Sequence, residues 1–423
     1  MRWGGLPVTV CGLGVSGTAA AEVLLRLGAR VTVIDARENA ARAAALEALG
    51  AAVVTGTADP DVPAELVVTS PGWRPDQPYL SRLGCAGVPV WGEVELAWRL
   101  KPARQRWYAV TGTNGKTTTT EMLGAMLARG ERHSATAGNI GTPLVSVVTA
   151  ADPPEDVAVE LSSFQLHWTS SLAVTAGAIL NLAPDHLDWH GSFAGYGAAK
   201  RRIWGAGTTA VYNADDPAVM ALTDGVPDLV PFSLAQPYDG PLAATGPHNL
   251  ANATAAATLA RLAGVGEDAI AEAMRDFRTG GHRLVTVATL DGVAYVDDSK
   301  ATNPHAAQRA IESFESVVWV AGGLNKGLEF DGLVTATRSR LRAAVLIGTC
   351  AEEIRDALAR HAPEVPVEVA GDLHTAVGTA RRLARPGDTV LLAPAAASMD
   401  QFTDYAERGD RFAAEVRALE ERQ

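Results

Sequence analysis

The stretch that most constrains this 423-residue chain is Tyr108-Ala-Val-Thr-Gly-Thr-Asn-Gly-Lys-Thr-Thr-Thr-Thr120. Tyr108 to Thr111 predict a strand, Gly112 and Gly115 a tight turn, and Lys116 with Thr117 the opening of a helix. That is the layout of a phosphate-binding loop. Backbone N–H groups at the turn and helix start face an anion, Lys116 adds a point charge, and the Thr117 hydroxyl suits Mg²⁺. Val110 stands where the full G-x-x-x-x-G-K-[ST] pattern has its first glycine. The loop predicts a nucleoside triphosphate but not its fate. The plainer alternative is a glycine turn ending in a surface lysine.

A chain of this length is expected to form two or three domains. With 47% hydrophobic and 20% charged residues it has the composition of a soluble globular protein. A net charge of −12 argues against nucleic acid or an acidic membrane face as partner. An anionic substrate then needs local basic pockets. Cys11, Cys85 and Cys350 form no CxxC pair, which fits a reducing cytoplasm and argues against structural zinc or disulfides. Met1 leads within a few residues into the strand-like Val8–Cys11, leaving no room for a signal peptide. The uncharged stretch 168–184 is broken by Ser, Thr, Gly and Asn, so no membrane span is expected.

In the first hundred residues, Val8–Cys11 is followed by Gly12-Leu-Gly14-Val-Ser16-Gly17, a helix, and Val31–Ile34 ending in Asp35. Strand, glycine turn, helix, strand and terminal acid make the dinucleotide-fold fingerprint, which predicts a nucleotide or nucleotide-sugar phosphate at the helix start. The alternative is a doubly wound sheet whose glycines serve packing alone. Ser70-Pro-Gly72 forms a turn after Leu66–Thr69, at the strand end where open α/β sheets bind ligands. Lys101-Pro102 reads as a boundary.

Beyond the phosphate loop come the glycine turn Gly138-Asn139-Ile-Gly141 and the run Val157–Leu166, which carries Glu160. A carboxylate ending a buried strand downstream of a phosphate loop is a natural Mg²⁺ ligand. Capping of the next helix is its plainer role. Pro184–His190 gathers Asp185, His186 and Asp188 after another strand and could hold a metal. Lys200 reads as an ordinary solvated lysine. Asn249 and Asn252 lie three apart on one helix face and suit a purine edge, while Asn249 could equally cap the helix. Thr279 to Arg283 looks like a hinge followed by a basic pair. A second alternating α/β block then carries three polar strand-end segments, Asp297–Asn303, Gly323–Lys326 and Ala397–Phe402. Lys300 and Lys326 could grip carboxylates or phosphates there.

In this order the segments resemble the Mur ligases over nearly the whole chain. Gly112-Thr-Asn-Gly-Lys-Thr-Thr118 marks a wider superfamily that includes folylpolyglutamate synthases. Glu160–Leu166, Asp298–Asn303 and Ala393–Phe402 point to its glutamate-adding branch. The resemblance implies an α/β chain of three domains: a Rossmann-like UDP-sugar domain over 1–100, a P-loop ATPase-type domain with a mostly parallel sheet over 101–278, and a Rossmann-like glutamate domain over 279–423. Gly12, Gly14, Ser16, Gly17, Asp35, Ser70, Gly72 and Asn139 would serve the UDP-sugar. Gly112 to Thr118, Asn249, Asn252, Arg283 and Asp298 would serve ATP. Two Mg²⁺ ions are implied, with Thr117, Glu160, His186 and a carbamylated Lys200 as ligands. Thr302, Lys326, Ser398 and Tyr405 would receive glutamate, and Lys116, Glu160, His186, Lys200 and Lys300 would carry catalysis. The implied reaction is the ATP-dependent joining of D-glutamate to UDP-N-acetylmuramoyl-L-alanine through an acyl phosphate, in a monomer whose last domain closes by a hinge.

The run between Ser233 and Gly246 is shorter than in typical members, so either a trimmed central sheet or an internally shortened sequence is expected. Tyr405 stands where the family often has phenylalanine. Whether D- or L-glutamate is added is not legible, and a relative adding another amino acid fits the same loops. An NAD-dependent dehydrogenase would leave Gly112–Thr117 and the last block unexplained. A non-catalytic scaffold would not need Lys116, Glu160, His186, Lys200 and Lys326 together.

Overall fold

The computed structural model describes every residue except Thr245, Thr279 and 421–423, and packs as two compact units. Residues 1–182 and 194–278 form the first, and residues 183–193 with the chain from 280 onward form the second.

The first unit holds two parallel sheets. One contains β1 (Pro7–Cys11), β2 (Arg30–Asp35), β3 (Ala52–Thr55), β4 (Leu66–Thr69) and β5 (Val90–Gly92), in the order β3-β2-β1-β4-β5. Chain order reverses between β1 and β4, so their carboxyl ends flank the crevice where such sheets take ligands. The other contains β6 (Arg106–Thr111), β7 (Ser134–Gly138), β8 (Asp156–Glu160), β9 (Ala176–Ile179), β10 (Thr209–Asn213) and β11 (Leu229–Phe232), in the order β11-β10-β9-β6-β8-β7. β6, the strand feeding the phosphate loop, is central and pairs with β8 and β9. Tyr108, Ala109 and Val110 are all buried, the run of consecutive buried residues expected of a parallel strand covered on both faces.

One apolar core runs through both sheets, joining Trp91, Val94, Leu96 and Ala97 of the first to Trp107, Leu144, Val145 and Leu166 of the second. Trp98 meets Trp107 edge to face at 5.3 Å. Truncating Trp107, which is fully buried, would cost about 3–5 kcal/mol. Among the described residues no strand follows β11 before the helix Pro247–Ala263, so the central sheet ends there.

The second unit holds β12 (Val285–Leu290), β13 (Val293–Asp297), β14 (Val317–Gly322), β15 (Leu341–Ile347), β16 (Val367–Gly371) and β17 (Thr389–Leu392), ordered β12-β13-β17-β14-β15-β16. Among the described strands of this sheet, β12 and β13 pair antiparallel and the other pairings are parallel. Among the described residues no helix is long and apolar enough to cross a membrane.

Candidate active site

The glycine turn after β1 is shaped by contact. A Cβ on Gly17 would lie 1.9 Å from the Gly12 carbonyl oxygen, so only glycine lets the helix Val15–Arg26 start this close to the strand. Gly14 caps that helix without a side chain, leaving its first N–H groups suited to an anion. Ser70 Oγ is buried beside Gly12 and Gly17 and has no hydrogen-bond partner, as expected of a group built to meet a ligand. Asp35 is tied more locally than a ligand contact alone requires. Its Oδ2 accepts from Leu13 N at 2.7 Å and its Oδ1 from Arg37 N at 2.9 Å, so it also fixes the turn.

The phosphate loop sits at the carboxyl end of β6. Gly115 is left-handed at φ 81° and caps the helix Lys116–Arg129, whose first turn carries Thr117 and Thr118. A Cβ on Gly115 would lie 2.4 Å from Asn252 Oδ1, which places Asn252 directly against the loop. Asn249 and Asn252 are both buried on the helix Pro247–Ala263. The cap of that helix is Gly246, so the capping role open to Asn249 is not the one it takes. Lys116 Nζ folds back to donate to Gly112 O at 2.9 Å and Thr113 O at 2.8 Å.

Asn181, which sequence reasoning missed, buttresses the loop from the end of β9. Its backbone O accepts from Thr113 N at 3.0 Å, and its side chain accepts from Asn114 N at 2.9 Å and donates to Asn114 O at 3.0 Å. An amide at the end of the strand beside the loop was the available signal.

Glu160 ends β8 in register with Val110 and is 2% exposed. Its Oε1 accepts from Asn139 Nδ2 at 2.8 Å, whereas its buried Oε2 has no hydrogen-bond partner. The helix that follows is capped by Ser162 with Gln165, so Glu160 is released from the capping role. A buried carboxylate oxygen without a partner is costly unless a cation meets it. Glu160 with the Thr117 hydroxyl is therefore a donor set that fits a hard cation such as Mg²⁺, which bonds one or two carboxylates and completes its shell with phosphate and water. Asn139, expected beside the nucleotide sugar, is thereby also a neighbour of the candidate metal carboxylate.

Lys200 corrects the reading from its local sequence. It is not solvated but 1% exposed, on the inner face of the helix Phe193–Arg201. Its Nζ donates to Gly112 O at 2.8 Å and lies 4.6 Å from the Tyr196 ring centroid, while Tyr196 OH reaches Thr113 Oγ1 at 3.2 Å. The lysine is thus part of the phosphate loop's underside. His186 lies in the segment that packs with the second unit, in a left-handed conformation at φ 53°. Its backbone N–H donates to Asp185 Oδ1 at 2.9 Å. Among the described residues no three His, Cys, Asp or Glu side chains gather as a ready-made metal cluster.

In the second unit the three polar strand-end segments converge. An antiparallel bridge between Leu324 and Ala397 joins the segments carrying Lys326 and Ser398. Arg408, fully buried and also missed, ties in the remaining segment. Its Nε donates to Ser299 Oγ at 2.9 Å, and its terminal nitrogens donate to Ser299 O at 2.9 Å and Ala396 O at 3.2 Å. Burial lowers its pKa to about 10, opposed by the nearby carboxylates of Asp400 and Asp297. Its signal in sequence was an arginine in helical register with the apolar Phe412 and Val416.

Lys300 Nζ sits 3.7 Å from the Tyr405 ring centroid, a cation–π contact that gives the tyrosine a role in holding the lysine. Thr302 N donates to Lys300 O at 2.8 Å. Asp298 is raised to about 7 by burial and by Asp297, against hydrogen bonding from Leu284 N and the charge of Arg283. His282 Nδ1 lies 2.6 Å from Asp297 Oδ2 and so anchors the residue preceding Arg283.

A phosphate loop on a central parallel strand, a nucleotide-type glycine turn and a lysine-bearing third sheet define the Mur ligase class, and the chain belongs to the Mur ligase family. Three family profiles match it: "Mur ligase MurD-like, N-terminal domain" over residues 7–92, "Mur ligase middle domain" over 110–240, and "Mur ligase, glutamate ligase domain" over 282–396. Among curated relatives, the UDP-N-acetylmuramoylalanine–D-glutamate ligase of Frankia casuarinae is 57% identical, over 99% of this chain and 96% of the relative. That of Thermobifida fusca is 50% identical, over 99% and 100%. The Frankia alignment spans 452 positions against a chain of 423 residues, so the relative carries residues with no counterpart here.

Solved structures share the fold at low identity. The UDP-N-acetylmuramate–alanine ligase of Thermotoga maritima has a TM-score of 0.61 at 20% identity, covering 98% of this chain and 100% of that one. A pseudomurein peptide ligase type C from Methanothermus fervidus has 0.62 at 19% identity, covering 97% and 99%.

Proposed function

We propose that this chain joins the free carboxylate of UDP-N-acetylmuramoyl-L-alanine to the amine of D-glutamate at the expense of ATP, in the cytoplasm. The observation that carries the reading is Glu160: a buried carboxylate with one oxygen unpartnered, one strand away from the phosphate loop. The names of the curated relatives support the choice of substrates. Residues 1–100 are assigned to the UDP-sugar, 101–278 to ATP and 279–423 to glutamate.

The chemistry follows from charge. A carboxylate is a poor electrophile, so one of its oxygens attacks the γ-phosphorus, ADP leaves, and an acyl phosphate results. The glutamate nitrogen then attacks the carbonyl carbon and loses a proton, and the tetrahedral intermediate collapses by breaking the acyl C–O bond, so inorganic phosphate departs carrying the former carboxylate oxygen. Lys116 and the N–H groups at the start of the helix Lys116–Arg129 bind phosphate oxygens and neutralise their charge. Thr302, Lys326, Ser398 and Tyr405 receive glutamate, while Lys300, held against the Tyr405 ring, meets ATP or the reaction intermediate. Asn249 and Asn252 serve the nucleotide, as do Arg283 and Asp298. Gly12, Gly14, Ser16, Gly17, Asp35, Ser70, Gly72 and Asn139 serve the nucleotide sugar.

Thr117 and Glu160 would hold one Mg²⁺, and His186 with a carbamylated Lys200 a second; when bound, the ions neutralise phosphate and developing oxyanion charge. Carbamylation adds CO₂ to the neutral Lys200 amine with loss of a proton. The resulting anion would face the Gly112 carbonyl and the Tyr196 ring, so it needs a cation beside it. Those same contacts favour a second reading, in which Lys200 stays a cation that braces the loop.

The test is phosphate release from ATP with UDP-N-acetylmuramoyl-L-alanine, comparing D-Glu, L-Glu, L-Ala and meso-diaminopimelate. Turnover with D-Glu alone is expected. Absence of turnover with either glutamate enantiomer overturns the function, and turnover with only L-Glu overturns the stereochemistry.

A further inference from the structure

The helix Glu93–Leu100 follows β5 at the edge of the nucleotide-sugar sheet and opens with two acids. Acids in a first helical turn ordinarily sit in solvent and complement the helix dipole. Glu93 and Glu95 instead are buried, and their carboxylates reach into the other sheet's layer. Glu93 Oε1 accepts from Val145 N at 2.6 Å, in the first turn of the helix Leu144–Val148, which its own cap residue Pro143 leaves without a side-chain acceptor. Glu95 Oε2 accepts from Ser170 N at 2.9 Å and Ser171 N at 3.1 Å. Its Oε1 accepts from Ser170 Oγ at 3.1 Å, Ser171 Oγ at 2.6 Å and Arg99 Nε at 2.7 Å. Alongside them Gly92 N donates to Trp168 O at 3.0 Å, and a Cβ on Gly92 would meet Trp168 Cβ at 2.9 Å.

The two gripped segments lead to one residue. Upstream of Val145 is the turn holding Asn139, whose side chain donates to Glu160 Oε1. Upstream of Ser170 is the helix Ser163–His167, capped by Ser162 just beyond Glu160. We propose that Glu93 and Glu95 are positioning residues that fix the nucleotide-sugar sheet against the ATP sheet, so that the carboxylate to be phosphorylated is presented in line at Glu160. The inference rests on the proposed function for what is presented. The linkage itself is a property of the first unit. Displacement of reacting groups by about 1 Å costs on the order of 10²-fold in rate, so a joint of this kind acts on kcat. The phosphate loop and the helix it opens belong to the ATP sheet on one side of the joint, so KM for ATP is spared.

The experiment compares the full chain with Glu95→Gln, which keeps the volume but removes the charge and leaves one acceptor oxygen for the donors of Ser170, Ser171 and Arg99, and with the milder pair Ser171→Ala and Ser171→Thr. Expected is a fall in kcat per folded molecule of about 10²-fold for Glu95→Gln, with KM for ATP within twofold. A fall of a few-fold is expected for Ser171→Ala, restored by Ser171→Thr, which returns the hydroxyl. Hydrogen exchange provides a readout that needs no turnover: the Ser170, Ser171 and Leu161 amides should exchange faster in Glu95→Gln, while Thr113 and Thr119 in the phosphate loop and its helix keep parental rates. A purely stabilising role would lower the folded fraction and leave kcat per folded molecule at the parental value. That result, or unchanged exchange at Leu161, overturns the proposal. A parent enzyme without glutamate turnover overturns the function instead, and the exchange rates still decide the joint.

Discussion

Glu95 and Glu160 are equally hidden, at 0% and 2% exposure, in the same compact unit. What differs is what their oxygens meet. Both oxygens of Glu95 are saturated by Ser170, Ser171 and Arg99, and although burial pushes its pKa up, those hydrogen bonds outweigh it and leave it below the ordinary carboxylate range. Glu160 has Asn139 on one oxygen and no partner on the other. A satisfied buried charge is an element of architecture, whereas a half-satisfied one is a place prepared for something absent from the polypeptide. Burial alone does not separate the two roles. Accounting for each oxygen does.

The strongest way to break this contrast is Glu160→Gln. The amide keeps the Asn139 hydrogen bond through its oxygen but offers a hydrogen-bond donor where a cation needs a negative oxygen. Loss of the charge stabilisation a metal supplies is expected to cost about 10³-fold in kcat. Removing an uncompensated buried charge should leave the melting temperature at or above that of the parent. Glu95→Gln should do the reverse to stability and lower it. Steady-state rates and thermal melts on both variants make the test: a destabilised Glu160→Gln would place Glu160 with Glu95 among the architectural acids.

Lys200 poses the same question with opposite sign. Lys200 is 1% exposed, and its Nζ meets the Gly112 carbonyl, the Thr111 hydroxyl and the Tyr196 ring in the interior. Lys200→Ala is expected to lower kcat on the order of 10²-fold, with no recovery at high bicarbonate, since no amine remains to take up CO₂. In the parent, ¹³C-bicarbonate should give a carbamate carbon signal that Lys200→Ala lacks. Near-parental turnover in that variant, or the same signal in both, removes the carbamate.

The sequence made the loops legible and left their supports hidden, for a physical reason. Gly17 and Gly115 are dictated by contacts a Cβ would violate, and strand–turn–helix order announces such turns locally. Glu160 was readable because it ends a buried strand beside the phosphate loop. Asn181, Lys200, Arg408 and Glu93 with Glu95 act across long sequence separations, and their types are unremarkable where they stand. An acid in a first helical turn reads as a surface residue until another layer is packed on it. The three sheets were legible from alternating strand and helix patterns, whereas the fusion of the first two into one unit depends on packing between their layers.

The smallest effect separates the two acids of the joint itself. Burial pushes Glu93 from 4.5 up to about 7, and hydrogen bonds from Val145 and Leu144 N–H only partly oppose it. The folded state therefore holds the Glu93 proton more tightly than the unfolded chain does. The stability this provides is fully present below the unfolded value and is lost as pH rises through about 7, a change of roughly 3 kcal/mol. Glu95 is shifted the other way, so its contribution is present above the unfolded value and is lost as pH falls through the lower folded one. Glu93→Gln cannot ionise, so its stability relative to the parent should improve from pH 4.5 to about 7 and then level off, as read from paired thermal melts across that range. Glu95→Gln should show no such gain. Parallel pH profiles for the two variants would mean that Val145 and Leu144 satisfy Glu93 as fully as the serines satisfy Glu95.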